Sequence, residues 1–153
     1  MKKLRFLNKK ETKSILKKIK EYYGDTFSIE HIYSITPENK IFIISKEFSN
    51  FRFDRLKINT LGLYIAKLEK DGIRLSIEGS QIIKPTKNIL ELNQEQSKNW
   101  LNGQQLEIKS DEKGYKVIKL GNDFLGTGKL TENRLINYIP KYRRIYSKVK
   151  ISP

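Results

Sequence analysis

Between Gln104 and Ile139 the chain runs as four short strand-like stretches, QQLEIK, YKVIKL, DFLGTGKL and RLINYI, joined by links of two to five residues rich in Gly, Asn, Asp and Lys. Strands this short and this closely linked pair with their sequence neighbours, and the two-residue GN link at 121–122 is a tight hairpin turn. A flat sheet of such strands leaves its edges bare, so a small closed or partly closed barrel is expected. One further strand, ILEL (89–92), precedes them. Between it and QQLEIK, Asn93 is placed to cap a helix over QEQSKNWLN, with Gln96 three residues on and Gly103 past its end. Trp100 lies on that helix beside Leu101. It can be core or a base-stacking residue, and the short flanking apolar pattern favours core.

The segment KPTKN (84–88) holds a proline and no apolar side chain, and the pattern restarts after it. Two units are therefore expected, 1–83 and 84–153. The first opens with a helix: Asn8 and Glu11 have capping-box spacing, Ile15, Leu16, Ile19, Tyr22 and Tyr23 form one apolar stripe, and Gly24 is the natural stop. Lys10, Lys13, Lys17 and Lys20 fall on its other side. Such a helix can lie on a membrane surface or pack on a sheet, and its short stripe with two tyrosines favours the sheet. Strands are expected over 27–35, 40–45, 56–69, with a bulge at Gly62, and 73–77. A short helix is expected within 46–55 and one helical turn over EGSQII. The fold class is α+β: a small N-terminal α/β domain, then a pseudobarrel of about five to six strands with one or two helices.

Charge is uneven along the 153 residues. Lys and Arg total 31 against 17 Asp and Glu, a formal net charge of +14, and the excess sits at the two ends. Such an excess favours a polyanionic partner: RNA, DNA or an acidic membrane surface. There is no cysteine, which removes thiol nucleophiles, disulfides and Cys-ligated metals and suits a reducing cytoplasm. No stretch has the length or apolarity of a membrane span, and the first residues lack the apolar core of a signal peptide.

The segment GNDFLGTGKL (121–130) invites a nucleotide-loop reading, and the spacing rejects it. A P-loop needs a glycine where Asp123 stands and a hydroxyl where Leu130 stands. Gly126 and Gly128 are better read as a bulge or a close approach of another backbone. His31 is the one histidine and sits in a strand pattern. Glu91, Glu95 and Glu107 are carboxylates that nothing marks as catalytic, and no metal-ligand motif occurs. No catalytic residue, metal site or cofactor is expected. The richest stretch is NYIPKYRRIYSKVK (137–150), where Lys141, Arg143, Arg144, Lys148 and Lys150 alternate with Tyr138, Tyr142 and Tyr146. Arginine forks match phosphate oxygens and tyrosines stack on bases.

The runs ILELNQEQSKNWLNGQQLEI and GYKVIKLGNDFLGTGKLTENRLINYIPKYRR resemble a PUA domain, the terminal domain of Sun-type RNA cytosine-5 methyltransferases above all. LNKKETKSILKKIKEYYG and LGLYIAKLEKDGIRLSI resemble the leading domain of Nip-type ribosome-biogenesis factors. The resemblance implies a non-catalytic, cytoplasmic RNA-binding factor in rRNA or tRNA modification or ribosome maturation, with a methyltransferase or ribosome-assembly protein as a further partner and no membrane. Sun-type catalysis depends on cysteines, and this chain has none. The residues expected to grip RNA are Lys129, Arg134, Lys141, Arg143, Arg144 and Lys148. Two other readings are a protein-interaction subunit of an RNA-modifying enzyme and an RNA-acting enzyme with an unrecognised carboxylate site.

Overall fold

The structure is a computed structural model that describes residues 4–24, 31–45 and 62–145. The first unit begins with a short strand β1 (Arg5–Phe6) and helix α1 (Lys9–Tyr23). The capping box forms: the Asn8 side chain accepts from the Glu11 amide at 2.8 Å, and the Glu11 carboxylate accepts from the Asn8 amide at 3.1 Å. Strands β2 (His31–Ile35), β3 (Lys40–Ser45), β4 (Leu63–Glu69) and β5 (Gly72–Leu75) follow, and the sheet order β1-β2-β3-β4-β5 is antiparallel throughout. Ile15, Ile19 and Tyr23 of α1 pack on one face of this sheet, against Ile41, Ile43, Ile73 and Leu75. The 46–55 segment and residues 56–61 of the expected strand lie outside the described residues.

Ser76 ends β5 and caps α2 (Ile77–Ile83), its hydroxyl accepting from the Gly79 amide at 2.9 Å. A strong local cap therefore turns the chain two residues earlier than its apolar alternation suggests, and the expected single turn becomes a seven-residue helix.

In the second unit β6 (Ile89–Glu91) leads to α3 (Gln94–Leu101), capped by Asn93 and Gln96, and then to β7 (Leu106–Glu107), β8 (Gly114–Leu120), β9 (Asp123–Thr131) and β10 (Arg134–Asn137). The order β6-β8-β9-β10-β7, with β6 parallel to β8 and the other pairs antiparallel, makes a curled half-barrel. Among the described residues the molecule has three helices and ten strands in two sheets, the α+β class. Trp100 fills the half-barrel with Leu92, Leu106, Ile118, Leu130 and Leu135, fully buried, its indole N–H donating to the Leu125 carbonyl at 2.9 Å. Strand alternation sends Ile118 into this core and its neighbour Val117, with Phe124, into the core beneath α1.

Candidate nucleic-acid interface

The face of the first sheet away from α1 is unusual in its charge. Lys40 of β3 pairs in register with Lys67 of β4, and Lys67 with Arg74 of β5. Three cations thus stand directly abreast. A β-bulge assembles this row. Phe42 pairs with Tyr64 and Ile41 with Ala66, which leaves Ile65 as the extra residue. An unbroken strand would oppose Ala66 to Lys40 and turn Lys67 to the α1 side. The bulge buries Ile65 and Ala66 in succession and brings Lys67 onto the face of Tyr64. The bulge lies at Ile65, three residues beyond the glycine where the sequence suggested one.

The row looks onto a cleft of about 300 Å³ between the two sheets. Its opposite wall is the segment after β10: Tyr138, Ile139, Pro140, Tyr142 and Arg143. Strand β10 ends at Asn137, and a 3-10 turn covers Lys141–Arg143, so this segment has left the sheet. The Arg74 guanidinium stacks 4.1 Å from the Tyr138 ring centroid, and Lys40 lies 5.5 Å from that of Tyr64. Tyr142 is 83% exposed. Carboxylates surround the cations: Glu69 lies 3.2 Å from Arg74 and 3.6 Å from Lys67, Glu38 lies 3.9 Å from Lys40, and Glu78 pairs with Arg143.

The six residues expected to grip RNA separate in space and in state. Arg143 lines the cleft, and Lys141 is exposed on the same 3-10 turn. Lys129, on β9, pairs with Asp71 of the β4–β5 turn and sits 5.7 Å from the Tyr115 ring centroid. Hydrogen bonds to Asp71 from Lys129 and, next, from the Tyr115 hydroxyl hold its carboxyl below the usual range. Arg134 is exposed at the far end of β10. Arg144 is used inside the fold: its Nε donates to the Ile139 carbonyl at 3.0 Å, and a Cβ on Gly103 would stand 2.2 Å from it. Lys148 lies outside the described residues. Lys40, Tyr64, Lys67 and Arg74 were not singled out by the sequence. For Lys40, Tyr64 and Arg74 the available signal was strand alternation with buried Ile and Leu neighbours, whereas Lys67 joins them only through the bulge.

His31 is half-buried, and burial pushes its pKa down. Among the described residues no group of three His, Cys, Asp or Glu side chains could hold a metal ion, and no helix is long and apolar enough to cross a membrane. Glu91 and Glu107 lie on opposite edge strands and Glu95 on α3, all three exposed.

A five-stranded half-barrel closed over a Trp-bearing helix, with the final strand running into an aromatic and basic turn, is a PUA-like pseudobarrel. Residues 87–145 match the family described as the methyltransferase RsmF PUA domain. Over 130 residues, 82% of the chain, the protein is 27% identical to the ribosomal RNA small subunit methyltransferase F of Shewanella oneidensis. The chain spans 27% of that relative's length.

Proposed function

We propose that this chain binds RNA and serves rRNA modification, with the PUA unit as its anchor. The observation that carries the reading is the match of residues 87–145 to the PUA domain of an rRNA methyltransferase family. The chain's role is binding and placement. The Sun-type resemblance ties methyl transfer to cysteines, and the sequence contains none. A methyltransferase active site is then the partner that performs the chemistry, and the cytoplasm is the compartment that fits.

The phosphates are gripped by the basic residues of the second unit, in two tiers. Arg134 and Lys141 have no ion-pair partner among the described residues and take phosphates directly. Lys129 and Arg143 exchange Asp71 and Glu78 for phosphate oxygens, a small cost for pairs this exposed. Lys148 extends the grip along the same chain segment, and Arg144, whose Nε is committed to the Ile139 carbonyl, adds only its terminal nitrogens. Fluorescence anisotropy with a small-subunit rRNA fragment across a salt series tests this. The logarithm of affinity should fall linearly with the logarithm of salt, and Arg134→Gln with Lys141→Gln should reduce the slope by roughly 0.7–0.9 for each phosphate no longer gripped. Salt-independent binding, or none, overturns it and favours the protein-interaction reading.

A further inference from the structure

We propose that the cleft between the two sheets holds one unpaired nucleotide of the bound RNA, its phosphate on the Lys40–Lys67–Arg74 row and its base against Tyr142. The proposal rests on the RNA-binding reading and adds the cation row of the first unit, outside the segment that matches the PUA family, to Tyr142, which lies within that segment. Three observations carry it.

The first is the row itself. Side chains directly opposite in an antiparallel pair stand about 4.5–5.5 Å apart at Cβ, and like charges there oppose folding. Three cations abreast are therefore a poor choice for stability, and Glu69 touches only two of them. An anion lying across the row satisfies all three. The Lys67 and Lys40 pairs, at 3.6 and 3.9 Å with both partners solvent-accessible, are loose enough for phosphate to replace. The second is Arg74. Its terminal nitrogen donates to Glu69 and its plane is stacked on Tyr138, yet its Nε is buried with no acceptor among the described residues. A phosphate oxygen is an acceptor of the required kind, and it reaches Nε once the guanidinium turns from its present pose, in which that atom is enclosed. The third is size and lining. A cleft of about 300 Å³ admits one nucleotide and excludes a duplex. Tyr142, 83% exposed on the facing wall, offers a ring of the sort on which unpaired bases stack. The ligand chemistry is thus single-stranded RNA, or a nucleotide turned out of a helix.

The test compares the full chain with its Tyr142→Ala, Tyr142→Phe and Lys67→Gln variants, using labelled oligouridine and a blunt RNA duplex of equal length. Tyr142→Ala should weaken single-strand binding about tenfold and leave duplex binding unchanged, and Tyr142→Phe should restore it. Lys67→Gln should lower the single-strand salt slope by about 0.7 without lowering the melting temperature, because it relieves a like-charge pairing. A lysine held there only for its pairing with Glu69 would instead lower the melting temperature when replaced. Single-strand binding unaffected by Tyr142→Ala and by Lys67→Gln, equal affinity for the duplex, or equal competition by polyglutamate overturns the cleft site while RNA binding by the PUA unit stands. If the parent chain binds neither RNA, the cleft site falls together with the reading it rests on.

Discussion

Trp100 shows how one side chain sets the geometry around it. Its ring is fully buried and its N–H is committed to the Leu125 carbonyl. The ring needs a neighbour without a side chain: a Cβ on Gly128 would stand 2.8 Å from the ring and 2.9 Å from the Ile136 carbonyl oxygen. The GTG run therefore serves close packing, as its sequence allowed, and the approaching group is the Trp ring as well as backbone. Trp100→Ala should cost about 3–5 kcal/mol in urea unfolding, the range for a buried aromatic truncated in a core. Trp100→Phe should cost less, chiefly the unpaired Leu125 carbonyl, about 1–3 kcal/mol. A variant with parental stability and no RNA affinity would make Trp100 a stacking residue after all. Its burial was legible because Leu101 and the following strands left a short helix no other anchor. Its hydrogen-bond partner, 25 residues away, was not.

At the scale of elements, legibility follows the range of the interaction that makes each one. Both long helices are capped by side chains three residues apart, Asn8 with Glu11 and Asn93 with Gln96, so their starts can be read directly. Asn8→Ala and Asn93→Ala should each cost about 1 kcal/mol, measured as a shift of the urea midpoint at constant slope. The cation row is the contrary case. Lys40, Lys67 and Arg74 come from three strands, and only the extra residue at Ile65 brings the middle one onto the shared face. Nothing local in YIAKLE announces a bulge, since Ile65 and Ala66 are as acceptable in an unbroken strand. The candidate site was consequently read from Lys129, Arg134 and, above all, the C-terminal basic stretch. That stretch supplies one wall of the cleft, and the sheet register supplies the other.

The two sheets meet as parts of one molecule. The Tyr23 carbonyl at the end of α1 accepts from the amides of Thr86 and Lys87 at 2.8 and 3.0 Å, and the Tyr22 hydroxyl donates to the Tyr115 carbonyl at 2.7 Å. Val117 and Phe124 of the half-barrel sit in the core beneath α1, and Asp71 of the first sheet accepts from Tyr115 at 2.8 Å and pairs with Lys129. We propose 84–88 as the boundary between two units that unfold together. Trp100 is the one tryptophan and reports the second unit alone, whereas far-ultraviolet circular dichroism reports both. Their urea transitions should coincide, as two-state unfolding requires. The core around Trp100 draws its buried members, from Leu92 to Ile139, entirely from the second unit. An 84–153 fragment should therefore still unfold cooperatively, but at a lower urea midpoint, because Val117 and Phe124 lose the cover of α1. Separate transitions in the full chain would show that the hydrogen bonds at Tyr23 and Asp71 do not couple the units. A fragment with no cooperative transition would show that the half-barrel depends on the first sheet for its fold. Equal midpoints for fragment and full chain would show that burial of Val117 and Phe124 contributes nothing across the boundary.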